Sequence, residues 1–91
     1  MPLHWTLEAA NDLDHIADYP FEHTTGRTPE LIRSVYDAPT SLLTFLNRGR
    51  HGKKDGTREL VLSQLPYVNV YAVRQDVIYV VRILHGAQQW P

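Results

Sequence analysis

Apolar residues recur along this chain in two different periods, and the change between them falls near the middle. In the first part they sit at Leu7, Ala10, Leu13, Ile16 and Ala17, three or four apart, while Glu8, Asn11, Asp12, Asp14 and Asp18 lie mostly off that stripe. Such spacing predicts a short amphipathic helix. Thr6 is placed to cap it, Glu8 suits the positive end of its dipole, and Pro20 ends it. Thr28-Pro29-Glu30 is a second start signal: a threonine cap, proline at the first helical position and a glutamate in the first turn. Leu31, Ile32, Val35, Tyr36, Leu42, Leu43 and Leu46 continue the stripe, and Asn47 and Gly49 stop it. Pro39 interrupts it. Either the helix kinks there or it breaks and restarts with Asp37 as cap, and a kink is expected because the stripe keeps its phase.

Beyond Gly56 the runs become extended. Gly56 to Leu62, Tyr67 to Val73 and Val77 to Leu84 are rich in Val, Ile, Leu and Tyr, with turns at Leu65-Pro66 and Arg74-Gln75-Asp76. This predicts a meander of antiparallel strands, and Leu3 to Thr6 a short first strand. Val68, Val70 and Ala72 alternate with Tyr67, Asn69 and Tyr71, so the aliphatic set is expected toward the helices and the tyrosine set outward or into a partner. Arg82 among Ile78, Val80 and Leu84 calls for a carboxylate, a partner or solvent. The order β-α-α-β-β-β reads as an α+β fold, helices on one face of a small antiparallel sheet of about four strands. The closing residues His85 to Pro91 are polar but carry Trp90, and are expected to be pinned to the fold or offered to a partner.

Composition narrows the function classes. A chain of 91 residues with 43% hydrophobic and 10% aromatic content is expected to be one domain, 1–91, with a packed core. It has no apolar run of bilayer length and no basic-then-apolar leader, so a soluble, cytoplasmic protein without membrane contact is expected. There are no cysteines for disulfides or thiolate metal sites. His4, His15, His23, His51 and His85 show no ligand spacing, so neither metal nor cofactor is expected. Charge is uneven: Glu8, Asp12, Asp14, Asp18, Glu22, Glu30 and Asp37 face only Arg27 and Arg33, whereas positions 48 to 58 hold five of the nine basic residues. These are Arg48, Arg50, Lys53, Lys54 and Arg58, in a segment that Gly49, Gly52 and Gly56 make a loop. A basic loop of this kind meets phosphate, an acidic protein surface or only water.

The collinear order of Trp5, Asp12-Leu13, Ile16-Ala17-Asp18-Tyr19, Val35-Tyr36-Asp37-Ala38, Ser41-Leu42, Asn47-Arg48-Gly49-Arg50, Gly56-Thr57-Arg58-Glu59-Leu60-Val61, Pro66-Tyr67, Tyr71-Ala72-Val73 and Ile83 to Pro91 resembles the RelE/ParE superfamily. Its members are toxins of bacterial type II toxin–antitoxin modules. The resemblance spans essentially the whole chain and is strongest from Asn47 to Pro91. It implies a compact fold of two antiparallel helices against a twisted antiparallel sheet, and a cognate antitoxin whose amphipathic segment wraps the domain and orders on contact. No direct specific DNA binding is expected. Pro20-Phe21 and Pro39 depart from many relatives and should shorten or bend the helical hairpin.

The superfamily divides by target. RelE-like members cleave messenger RNA in the ribosome, chemistry that needs a base, cations for the phosphorane and an acid for the leaving oxygen. Where such enzymes carry basic residues this chain has Val68-Asn69 and Ala87-Gln88-Gln89, and no terminal tyrosine follows. Lys53, Lys54, Arg58, Arg82 and His85 remain; a nuclease would use His85 as acid or base and Arg58 or Arg82 on the phosphate. ParE-like members instead poison DNA gyrase, and the depleted cation set brings the chain nearer to them. Arg48, Arg50, Lys53, Lys54, Tyr67, Tyr71, Gln88, Gln89 and Trp90 are then the expected contacts to target or antitoxin. Each has a plainer role as well: Arg58 as a structural arginine, His85 as a packing histidine, Tyr67 and Tyr71 as filling for a half-covered sheet face, Trp90 as a clasp over the sheet edge.

Overall fold

The computed structural model describes residues 2–18, 28–62 and 67–85. Strand β1 (Leu3–Trp5) leads into helices α1 (Leu7–Asp18) and α2 (Thr28–Asp37), and a 3-10 segment (Ala38–Leu43) follows. Strands β2 (Arg50–His51), β3 (Arg58–Val61), β4 (Tyr67–Arg74) and β5 (Val77–His85) complete the fold. One five-stranded sheet results, in the order β1-β5-β4-β3-β2. The meander from β2 to β5 is antiparallel throughout. The α+β architecture agrees with the sequence pattern, but the sheet is mixed, because β1 runs parallel to β5 with Leu3 beside Ile78 and Trp5 beside Val80. A parallel neighbour needs a long crossover, and the helices supply it. The extra strand, β2, is only two residues long, too short to leave an alternation in the sequence.

Thr6 joins strand to helix. Its Oγ accepts the Ala9 N–H at 3.2 Å, the expected cap, while its hydroxyl donates to the carbonyls of Val80 and Val81 at 3.0 Å each. Helix α1 buries Ala9 and Ile16 with Leu13 partly covered; Leu7, assigned to that stripe by spacing, is 74% exposed. The chain does not kink at Pro39. It leaves the α-helix after Asp37 and tightens into the 3-10 segment, with Asp37 at its cap position making no side-chain cap bond. Proline removes the N–H that an α-helical ladder needs, and the shorter turn buries Pro39 and Leu42 while leaving Leu43 half exposed.

The pairing register corrects the expected sheet faces. Tyr67 lies opposite His85, Asn69 opposite Ile83 and Tyr71 opposite Val80, and the core cluster joins Tyr67, Tyr71, Ile78, Val80 and Ile83 to Ala9, Ile16, Val35 and Leu42 of the helical layer. The tyrosine set therefore faces the helices, and Val68, Val70 and Ala72 lie on the other side. The Tyr71 hydroxyl finds backbone partners in the interior, and Asn69 Nδ2 donates to the Val35 carbonyl at 3.3 Å, while Asn69 Oδ1 is buried with no partner among the described residues. A register shift at Val70/Tyr71, with Val81 as the additional residue on β5, moves Arg82 out of phase with Val80 and onto the Val70 side. The expected end of α1 at Pro20, the turn at Leu65-Pro66 and the contacts assigned to Gln88, Gln89 and Trp90 lie outside the described residues. No helix among the described residues is long and apolar enough to cross a membrane.

Candidate functional site

The basic loop between the 3-10 segment and β3 is held by three side chains from the sheet. Tyr71, fully buried, donates its hydroxyl hydrogen to the Leu46 carbonyl at 2.8 Å and accepts the Gly49 N–H at 3.1 Å. Arg58, its cross-strand neighbour, donates from Nη1 to the Gly49 carbonyl at 2.8 Å. Arg50 meets the Glu59 carboxylate from Nε at 3.0 Å and from Nη2 at 2.9 Å, with Glu59 itself buried. Gly49 is required at the crossing: a Cβ there would stand 2.6 Å from Tyr71 Cε1 and 2.9 Å from the Glu59 carbonyl oxygen. Further along, Thr57 turns the chain back, donating through both its N–H and its hydroxyl to the Lys54 carbonyl, and Gly52 N–H closes on the Thr57 carbonyl at 2.9 Å.

This arrangement sorts the expected site residues. Arg50 and Glu59 share a row with Val70 and so belong to the face away from the helices, whereas His51, Arg58 and Tyr71 share the row on the helix side. Of the five loop cations, Arg50 and Arg58 point to opposite faces of the sheet, and Arg48, Lys53 and Lys54 are exposed. Arg82 is a clamp between sheet and helix: its Nε and Nη2 reach Asp12 Oδ2 and Oδ1 at 2.7 and 3.1 Å, and the Ile83 N–H donates to Oδ2 at 2.9 Å. The hydrogen bond to Asp12 raises the guanidinium above the ordinary arginine pKa, partial burial opposing it and the charges of Asp12 and Glu8 assisting. His85 packs edge-on against the Tyr67 ring, centroids 5.8 Å apart.

Arg58, Arg82 and His85 are not brought together. Arg58 pairs beside Tyr71 and His85 beside Tyr67, four residues along β4, a run of about 13 Å at strand rise. Arg82 pairs beside Val70 and is bound to Asp12 of α1. Sequence reasoning missed Asp12, Glu59 and Gly49. The signal for Asp12 was present in part, since a lone arginine on an apolar strand demands a carboxylate; nothing local marked which one.

Two recesses open beside β4. One, of about 350 Å³, is lined by Leu46, Asn47, His51, Arg58, Tyr71 and Val73. The other, of about 290 Å³, is lined by Thr6, Lys54, Asp55, Arg74, Tyr79 and Val81. Thr57 and Ala72 line both. Among the described residues no three His, Asp or Glu side chains gather as a metal site.

A family model described as the ParE toxin of the type II toxin–antitoxin system parDE matches residues 3–90. "Putative toxin Y4kP" of Sinorhizobium fredii is 33% identical over 89 residues, covering 98% of this chain and 92% of that protein. "Toxin RelE2" of Caulobacter vibrioides is 33% identical over 84 residues, covering 92% of this chain and 93% of that one. Among solved structures, that of the chromosomal ParDE toxin–antitoxin system from P. aeruginosa superposes with a TM-score of 0.86 at 27% identity, over 93% of this chain and 95% of the other.

Proposed function

Because the chain belongs to the ParE toxin family of type II toxin–antitoxin systems, we propose that it arrests growth by binding DNA gyrase and that a cognate antitoxin neutralises it. The observation that carries gyrase binding over RNA cleavage is the engagement of the arginines. A 2′-hydroxyl attack on phosphate needs cations aimed at the developing charge, with acid and base on either side of it. Here Arg82 is bound in both directions to Asp12, Arg58 holds Gly49 and Arg50 holds Glu59. They shape the surface. A protein-binding toxin needs a rigid, charged rim of this kind and no transition-state set.

The second reading, ribosome-dependent cleavage of messenger RNA, draws support from the recess that holds Arg58 and His51 together and from the name of the Caulobacter relative. Both targets place the protein in the cytoplasm, and residues 1–91 act in either reading as one domain. The two are separated with purified protein. Gyrase binding predicts loss of supercoiling at stoichiometric toxin, reversed by antitoxin, with message in a translating extract left intact. Codon-positioned cuts in that message, with supercoiling unaffected, would overturn the gyrase reading in favour of the nuclease.

A further inference from the structure

Strand β4 runs three residues beyond the strand that flanks it. The β3 register ends with Arg58 opposite Tyr71, while β4 continues through Ala72, Val73 and Arg74, which pair with Tyr79, Ile78 and Val77 of β5. The chain diverges there because Thr57 commits its N–H and hydroxyl to Lys54 and its carbonyl to Gly52. The connection to β5 is a two-residue turn with φ of 52° at Gln75 and 64° at Asp76, the type I′ pattern. In that hairpin Arg74 and Val77 exchange hydrogen bonds, so alternation aims the N–H and C=O of Val73 away from β5, into the space β3 has left. Val73 is 38% exposed, and no loop or turn among the described residues makes a backbone hydrogen bond to it.

The two recesses flank this free edge on opposite faces of the sheet. The one on the helix side takes in Tyr71 and Val73 with Arg58 and His51; the one on the far side takes in Ala72, Tyr79 and Val81 with Lys54 and Arg74. Apolar walls with a cation at each rim, alternating across an unpaired backbone, are what an extended peptide requires: hydrogen bonds for its main chain and a seat for side chains on alternate sides. We propose that the Ala72–Arg74 edge is a docking site for an extended acidic segment of a partner protein, which adds to β4 as a short strand. Charge selects the partner, since Arg58 and Arg74, one in each recess, outnumber the single carboxylate, Asp55, that lines them. The free N–H and C=O select peptide over nucleic acid, which has no strand-like ladder to offer.

The inference rests on the toxin reading only for the existence of a protein partner, and its test uses the purified chain alone, so a negative gyrase result leaves it standing. The probe is a blocked pentapeptide of alternating glutamate and valine, titrated into 15N-labelled protein. Saturable shifts centred on the amides of Thr57, Val73 and Arg74 are expected, with the Val73 amide moving downfield as it gains an acceptor. N-methylation of the central peptide residue should weaken binding about tenfold, one net hydrogen bond, and exchange of glutamate for lysine should abolish it. Val73→Pro removes an N–H that the β5 pairing does not use and should lose the peptide while keeping the fold; the N-methylated peptide serves where that variant fails to fold. The proposal is overturned by shifts that map elsewhere, by no saturation at millimolar peptide, by equal affinity of the N-methylated peptide, or by a single-stranded oligonucleotide that produces the same shifts at lower concentration.

Discussion

Replacing Tyr71 with phenylalanine isolates the bond network that fixes the basic loop. The ring is fully buried in the core cluster and phenylalanine retains it, so packing is preserved. What disappears is one hydroxyl with two backbone partners, the Leu46 carbonyl at 2.8 Å and the Gly49 N–H at 3.1 Å. A buried group stripped of its partner costs about 1–3 kcal/mol. The Gly49 bond is buried and bears most of that; the Leu46 bond is only partly buried. The sum is about 2–3 kcal/mol, which for a domain of this size lowers the melting temperature by roughly 10–20 °C. Urea unfolding of the two proteins, with m unchanged, measures the difference directly. Amide exchange at Gly49 should accelerate by a larger factor than at Val80, since the loop opens before the sheet. A loss below about 0.5 kcal/mol, or equal acceleration at both amides, would show that the hydroxyl does not anchor the loop.

Further outcomes follow from other contacts. Asp12→Ala leaves the Arg82 guanidinium and the Ile83 N–H without their acceptor and should cost about 3 kcal/mol, read by the same unfolding curves. The contribution of Arg82 has a defined pH range: its folded pKa is raised, so the stability is complete below the ordinary arginine value and is lost only as pH climbs through the folded one, and the Arg82→Met difference should be flat across neutral pH. Gln75→Asn with Asp76→Gly relieves two left-handed residues in the β4–β5 turn and should raise stability by about 0.5–2 kcal/mol in thermal melts. Arg33→Ala removes an exposed i,i+4 pair with Asp37 and should change stability by less than about 0.5 kcal/mol in urea unfolding, a control for the buried pair.

Much of this fold is legible where one residue does one local job. Thr6 caps α1 as its side chain requires, and the Arg74-Gln75-Asp76 turn divides β4 from β5 where the apolar runs break. Legibility fails where tertiary pairing decides. Alternation could not orient β4, because Tyr67, Val70, Tyr71 and Ala72 are buried on both faces of the sheet, and a strand covered on both sides loses its polar marker. The parallel placement of β1 leaves no local trace either, nor does the shift at Val81 that puts Arg82 beside Val70. At the candidate site the basic loop was visible as composition, but its division between two faces depends on Arg58 and Glu59 being adjacent in one strand and so projecting oppositely. Pro39 was seen as an interruption, and its outcome was settled by which helical pitch buries Leu42.

The partnership of β1 with β5 has a bearing on synthesis. Thr6 and Val80 are joined by hydrogen bonds although 74 positions separate them, so the opening strand has no edge to lean on until β5 has been made. Closure of such distant ends is slow and comes last. Strand β1 and the cap at Thr6 therefore lock only after the β4–β5 hairpin exists, which makes the docking of the opening strand a late step in folding.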